Sequence, residues 1–568
     1  MPTITIDSNS SIDIEQHFRV SAGPGAGKTH WLINHIKNVL HESKRLQKTR
    51  KIACITYTNI GAETIKARLG IASIQVEVDT IHSFLYEHVL KPYLSFIDTA
   101  HGLCIERVRG HDDEIIRNYG FLDKWKIKTK QTRIPPKDNL ELIYALQKAQ
   151  WKLNTNGELV ISASQQKVGT HYLKTSSYYD YKTMAWAKGV LHHDDVLFFS
   201  YDLVIKHPFI LDVLRAKFPY FFIDEFQDTN PIQTKILKLI GNKESIIGVI
   251  GDKSQSIYGF QGANYDTFDS FDLNGIVNYQ ILTNRRSTNQ IIDLLNTIRK
   301  DINQSKFKNQ SGPVPVILVG SMKSALTRAQ AICSNELIHS LTYRNIVANT
   351  IKKQANETTV DKELLDKLME IDRPSSSNKY RSSSITALIK ATELAIEGRF
   401  KDSIRILEKA FKAKPDLEAT GNNIIHIIHL LNRYEEFKNK TLYEYYLFIK
   451  NEIGINMSNL REGGIARDFY DGHTYKDLAL CVNIPDDNGL FRTIHKSKGA
   501  EFDNVLLILD TESNLTFITN PDLTKEQHRV RYVAVSRAKN RLFITVPTLS
   551  EENSLILSKM GLDIETLT

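Results

Sequence analysis

The sequence predicts an α/β fold built around a phosphate-binding loop, and three observations carry that prediction. Ser21–Thr29, S-A-G-P-G-A-G-K-T, follows a short extended stretch (His17–Ser21) and opens a helical one in which Ile33, Ile36 and Leu40 share a face. That is the strand–loop–helix setting a P-loop requires. Tyr220–Thr229, Y-F-F-I-D-E-F-Q-D-T, runs an apolar strand straight into Asp224 and Glu225. Other buried strands, Lys51–Thr58 and Ile246–Ile250, also end in polar residues, and open α/β sheets place their ligands at that carboxyl end.

Length and composition set the frame. A chain of 568 residues, 41% of them hydrophobic, holds several domains with sizeable cores. No apolar run has the length of a membrane span, and the start M-P-T-I-T-I-D lacks a signal-peptide charge pattern, so a cytoplasmic protein without a membrane partner is expected. Cys54, Cys104, Cys333 and Cys481 lie far apart with no C-x-x-C pair, which argues against zinc ribbons and iron–sulfur clusters and for free thiols. A net charge of +8 from 73 basic and 65 acidic residues permits a nucleic-acid partner without demanding one.

In chain order, Gly23, Gly25 and Gly27 let the backbone wrap a phosphate chain, with Ala22 where the strict pattern has its first glycine. Lys28 would reach the β- and γ-phosphates and Thr29 would ligate Mg²⁺. The strand Lys51–Thr58 precedes a helical stretch, Asn59–Leu69, and the tract Val78–Phe84, V-D-T-I-H-S-F. Residues 85–215 read as mostly helical, with no catalytic constellation. There the tetrad His192–Asp195, H-H-D-D, is consecutive, so its side chains diverge on a helix and a metal site is not expected. Asp224 suits Mg²⁺ and Glu225 suits activation of water. The loop Gly251–Ala263 combines Gln255, suited to sensing a γ-phosphate, with Tyr258 and Phe260, suited to stacking on bases. Leu282–Ser287 carries two adjacent arginines before a helix. Val314–Val319 and Arg344–Asn349 read as strands, and residues 355–480 as a helical, polar insertion with a serine-rich linker at Pro374–Ser384. Arg492–Leu509 joins a basic loop to a strand, and Arg531–Val546 reads as a helix carrying Arg537 followed by a closing strand.

Taken together, these stretches resemble the motif series of UvrD/Rep/PcrA-type helicases of superfamily 1A. The matching segments are A-G-P-G-A-G-K-T, I-T-Y-T-N, D-T-I-H-S-F, F-I-D-E-F-Q-D-T, G-D-K-S-Q-S-I-Y-G-F-Q-G-A, L-T-N-R-R-S, T-I-H-K-S-K-G-A-E-F and Y-V-A-V-S-R-A-K, in the family's order. The resemblance implies two RecA-like P-loop NTPase lobes, parallel sheets flanked by helices, with mainly helical inserted subdomains. It divides the chain into a first lobe (1–84 and 216–280) interrupted by an insertion at 85–215, and a second lobe (281–354 and 481–568) interrupted by a reduced insertion at 355–480.

The same resemblance implies ATP and Mg²⁺ between the lobes. Gly23, Gly25, Ala26, Gly27, Lys28 and Thr29 would bind the phosphates, Thr29 and Asp224 the metal, and Glu225 would activate water. Gln255 would read the γ-phosphate, Arg286 and Arg537 would act as arginine fingers, and Glu501 would lie near the ribose. Tyr57, Thr58, Asn59, His82, Tyr258, Phe260 and His495 would line a path for single-stranded DNA or the tail of a duplex.

Some positions depart from the family pattern. Gln16 lies too close to Lys28 to serve as the upstream adenine reader, and Arg285 stands where a tyrosine normally stacks on adenine. Gln261 replaces a common arginine and Ile60 a lysine. The activity implied is a 3′→5′ helicase or translocase; the alternative is a DNA-sensing ATPase subunit that regulates a partner nuclease and unwinds little. The short insertion and nearly absent C-terminal extension resemble the small UvrD-like proteins encoded beside OLD-family nucleases in Gabija-type antiphage systems. That implies a nuclease or an OLD-family ATPase–nuclease subunit as partner.

Overall fold

A computed structural model describes residues 3–111, 119–135, 138–162, 166–334, 336–353, 361, 363–372, 381–411, 423–482 and 489–567. The chain begins with β1 (Ile4–Thr5), β2 (Phe18–Ala22), β3 (Ile52–Thr56) and β4 (Val76–Thr80). Two hairpins follow, β5 (Gln150–Leu153) with β6 (Leu159–Ser162) and β7 (Lys167–Val168) with β8 (His171–Tyr172). Then come β9 (Tyr220–Ile223), β10 (Ile246–Gly251) and β11 (Val277–Ile281). A short pair, β12 (Thr283–Asn284) and β13 (Ser305–Lys306), leads to β14 (Val316–Val319), β15 (Ile338–Thr342), β16 (Phe491–Thr493), β17 (Phe502–Ile508), β18 (Ala538–Val546) and β19 (Asp563–Thr566).

Two parallel sheets organise these strands. The first runs β1-β11-β2-β10-β9-β3-β4 and the second β16-β15-β17-β18-β14-β19. Tyr220–Ile223 and Ile246–Gly251 are buried throughout, which is why they read as unbroken apolar runs: helices cover both faces of a parallel sheet. The helix Lys28–Glu42 lays Trp31, Leu32, Ile36 and Val39 on the first sheet beside Phe18, Phe222 and Ile250. The P-loop, Asp224 and the loop after Gly251 therefore emerge side by side from the carboxyl ends of three adjacent strands.

The two insertions pack differently: the first shares a core with the first lobe, Trp186 and Phe199 clustering with Ile55 and Ile223, while the second has a core of its own. The first is less helical than its sequence suggests. W-K-L and L-V-I flank Asn154–Gly157, and this alternation around a turn forms the β5–β6 hairpin. The second is a helical body around Leu368, Leu388, Tyr445 and Tyr475. Of the serine-rich stretch expected as a linker, 374–380 lie outside the described residues, while Arg381–Ser384 open the buried helix Arg381–Ile396. Arg381 pairs with buried Asp372 at 2.5 Å.

Arg344–Asn349 corrects a further expectation. It belongs to the helix Asn345–Lys352, with Ile346, Val347 and Ile351 on its buried side, and the strand is the preceding Ile338–Thr342. A short apolar run is ambiguous in period, and here spacing of four residues wins. Among the described residues no helix is long and apolar enough to cross a membrane.

Candidate nucleotide and nucleic-acid site

The P-loop turns on glycines in a conformation L residues rarely adopt, Gly25 at φ +70° and Gly27 at φ +84°, the latter capping the helix that begins at Lys28. A side chain at Gly25 would strike the Asn284 amide, 2.6 Å from a built Cβ. Lys28 folds over its own loop, its Nζ donating to the carbonyls of Ala22 (3.1 Å) and Gly23 (3.4 Å). Burial pulls the Lys28 pKa down against the opposing fields of Glu225, Asp252 and Asp224. Thr29 follows it as the next helical residue.

Asp224 is buried, and burial together with the Glu225 charge pushes it up to about 7. Glu225 sits at φ 54°, ψ 40°, a left-handed strain of about 1–2 kcal/mol for a residue with a Cβ. Burial would raise its pKa, but the Lys498 and Lys28 ammoniums hold it below the usual range. Gln227, fully buried, donates to Glu225 from Nε2 and accepts the Asp252 N–H at its Oε1 (3.0 Å). Gln227 was legible only as a letter of D-E-F-Q-D-T; its role as the strut of Glu225 needed the fold. A buried carboxylate beside a hydroxyl residue at the helix start, under an ammonium that caps its own loop carbonyls, is a donor set that fits a Mg²⁺–triphosphate.

The second lobe closes over this site. Arg537 Nη2 donates to Gln255 Oε1 at 2.8 Å, while Gln255 Nε2 donates to Asp252 at 2.7 Å. Arg537 lies in the turn between the helix Glu526–Val535 and β18, one turn later than the helix on which the sequence put it. Arg286 donates to the Ser536 carbonyl (2.8 Å) and to Glu501 (2.6 Å), so the structure pairs these two expected nucleotide ligands with each other. Arg285 bonds both oxygens of Asp7 (2.9 and 2.7 Å), and its guanidinium lies 3.7 Å from the Phe307 ring centre. Lys498 Nζ meets buried Asp228 and the Gln255 carbonyl (2.8 Å). Asn284 and Gln304 donate to the Pro24 carbonyl. Phe307, Asp228 and Lys498 carry no role in the sequence reading.

Away from the P-loop a groove of about 880 Å³ runs between the first lobe, its insertion and the second lobe, lined by Tyr57, His82, Gln150, Phe260 and Arg529 among others. Phe260 is the exposed ring, 59% accessible, 5.6 Å edge-to-face from His495. Tyr258, expected to stack on bases, is only 9% accessible and belongs to the second lobe's core with Ile257. Tyr57 stacks on Tyr258 (centroids 4.6 Å) and its hydroxyl bonds Gln261, the residue that replaces an arginine. Thr58 caps the helix Asn59–Leu69 by accepting the Gly61 N–H, and Asn59 is that helix's exposed first residue. Burial pushes His82 down to about 3. Gln150 Nε2 donates to the Phe260 carbonyl at 2.7 Å, so the first insertion braces the loop. The H-H-D-D tetrad is a cap: Asp195 accepts both the Trp151 and Trp186 indoles (3.0 Å each) and pairs with Lys182. Among the described residues no metal-binding cluster of His, Cys, Asp and Glu occurs.

Comparison with known proteins places the chain. Residues 7–275 match the model of the UvrD/REP helicase N-terminal domain, and residues 483–548 that of the UvrD-like helicase C-terminal domain. The ATP-dependent DNA helicase PcrA of Leuconostoc citreum is 24% identical over 616 aligned positions, covering 93% of this chain and 79% of that protein. PcrA of Staphylococcus aureus is 28% identical over 308 positions and that of Staphylococcus epidermidis 27% over 306, each covering 51% of this chain. The matched region spans 38% of the length of those two staphylococcal relatives.

Proposed function

The chain belongs to the UvrD/Rep/PcrA-like helicases of superfamily 1A, and on that premise we propose that it is an ATP-dependent DNA helicase whose two RecA-like lobes translocate on single-stranded DNA. The observation that carries the reading is the meeting of Gln255 from one lobe with Arg537 from the other, directly over Lys28, Asp224 and Glu225. Thr29 and Asp224 would hold Mg²⁺, which supplies charge neutralisation for the phosphates. Lys28 would release its loop carbonyls to meet the β- and γ-phosphates. Glu225, kept ionised by Lys498 and Lys28 and braced by Gln227, would take a proton from the attacking water. Arg537 and Arg286 would add positive charge where negative charge develops on the phosphoryl oxygens, so hydrolysis would require lobe closure. Closure moves Phe260 relative to the second-lobe wall of the groove, and because every base has a π-face, grip by stacking carries no sequence preference.

The finer reading is 3′→5′ movement within a DNA-processing or antiviral complex that includes a nuclease, or an OLD-family ATPase–nuclease, subunit. Ile425 and Ile428, three residues apart on the helix Asn423–Asn432 of the second insertion, are exposed and would suit an assembled state.

Two substitutions test the division of labour. Lys28→Ala is expected to abolish hydrolysis and weaken nucleotide binding, because it deletes the charge beneath the phosphates. Glu225→Gln is expected to abolish hydrolysis while ATP still binds and holds the lobes closed. Equal loss of binding in both would contradict these roles.

A further inference from the structure

Arg299, the residue that ends the helix Asn289–Ile298 of the second lobe, reaches across to Asp252 of the first. Its Nη1 and Nη2 each donate to one oxygen of Asp252 at 3.1 Å, and both side chains are 1% exposed. The other side of the guanidinium bonds Asp301 through Nε (2.9 Å) and Nη2 (2.7 Å), and Nη1 also donates to the Tyr532 hydroxyl at 3.4 Å. All three guanidinium nitrogens of Arg299 are thus hydrogen-bonded. Its position is the informative part.

Asp252 is the residue that holds Gln255. It accepts Gln255 Nε2 at 2.7 Å and the Ser254 N–H at 3.1 Å. An amide can present either its oxygen or its NH₂ to a neighbour, and only the neighbour decides. A carboxylate offers Gln255 only acceptors, and the two bonds from Arg299 fix where those acceptors sit. The amide must therefore turn Nε2 inward and Oε1 toward Arg537, which donates to it at 2.8 Å. Arg537 in turn follows the helix that carries Tyr532, so Arg299 and Gln255 each bond the same stretch of the second lobe, one through Tyr532 and the other through Arg537.

We propose that Arg299 is a positioning residue for ATP hydrolysis: through Asp252 it sets the orientation of the Gln255 amide and ties that amide to the second lobe. The inference rests on the reading of Gln255 and Arg537 as the γ-phosphate machinery. Arg299 is 1% exposed, out of reach of a substrate. It acts by keeping one amide facing one arginine, and a lysine, which has a single donor centre in place of a planar fork, cannot hold both oxygens in the same way.

The test is steady-state DNA-stimulated ATPase of the full chain, with Arg299→Lys, Gln255→Ala and the double variant measured beside wild type. Arg299→Lys is expected to lower kcat by about tenfold or more, on the scale of a small misplacement of a reacting group, with the KM for ATP within about twofold. In the Gln255→Ala background the same change is expected to alter kcat by less than about twofold, since residues acting through one another are not additive. A merely structural role would make the two losses multiply, and that result, or Arg299→Lys turnover within about twofold of wild type, overturns the proposal. Should Arg299→Lys fail to fold, Asp301→Asn loosens the outer side of the fork without unpairing Asp252. A fall in its kcat of about threefold at unchanged KM supports the proposal and an unchanged kcat overturns it. A wild-type chain without DNA-stimulated hydrolysis would sink the reading of the site and this inference with it, whereas an active wild type with an indifferent Arg299 sinks the inference alone.

Discussion

At the scale of single residues, Arg285 and His35 show how a side chain's partners decide its use. Arg285 replaces the expected tyrosine, and its Nη2 is spent on Asp7 and one face on Phe307. What remains for a base is a stacking face and N–H donors alone, which cannot accept from the adenine amino group. Sites built to hydrogen-bond a substrate group reject its absence by roughly 10⁴–10⁵; without such a reader GTP should compete with ATP far better than that, and Arg285→Tyr should restore preference for ATP. Strong rejection of GTP by the wild type in a competition assay would contradict this. His35 lies buried against Phe18, Trp31 and Phe222, and among the described residues neither ring nitrogen has a hydrogen-bond partner. Burial pushes its pKa down to about 4. The folded state therefore binds fewer protons than the unfolded chain between the ordinary value of 6.5 and about 4. Its contribution to stability is complete above that window and is lost as the pH falls through it, by at most roughly 3 kcal/mol. His35→Phe keeps the stack and removes the titration. Its thermal midpoint should fall less than that of wild type from pH 7 to pH 4, and parallel falls would assign the acid lability elsewhere.

At the scale of elements, the loop after β10 serves two sites at once. Its Gln255 faces the P-loop, Ile257 and Tyr258 anchor in the second lobe's core, and Phe260 projects into the groove under the brace of Gln150. Phe260→Ala should weaken single-strand binding by about 1–3 kcal/mol, the usual cost of a lost base stack, and equally on poly(dT) and mixed sequences. Because the ring is exposed, the thermal midpoint should not move; unchanged DNA affinity in a titration would remove Phe260 from the strand path. The motif itself was legible because glycine-flanked aromatics are poor core candidates, but that argument could not separate Phe260 from Tyr258. One ring points to water and the other into a core assembled from residues as distant as Val533 and Ile544. The Arg344–Asn349 segment failed for a related reason: its period is too short to choose between strand and helix until Ile346, Val347 and Ile351 find a sheet to cover.

At the scale of the whole molecule, the two α/β lobes of the proposed motor should show DNA-stimulated ATPase but unwind long duplexes poorly on their own. If the proposed partner is a nuclease subunit, the chain co-expressed with it is expected to co-elute as a stable complex whose interface exceeds about 1,000 Å². A solitary monomer that unwinds kilobase duplexes unaided would identify it as self-sufficient. The sequence by itself determined the P-loop, the strand that ends in Asp224 and Glu225, and the order of the motifs. Each is a local constraint: glycines where φ must be positive, an unbroken apolar run where a strand is covered on both faces, carboxylates where that strand ends. Only the tertiary structure decided which charges meet. Arg285 with Asp7, Arg286 with Glu501, Lys498 with Asp228 and Arg299 with Asp252 join positions 278, 215, 270 and 47 residues apart. Nothing local encodes such pairs: Arg286 and Glu501 meet only when the two parts of the second lobe pack together, and the other three only where one lobe meets the other.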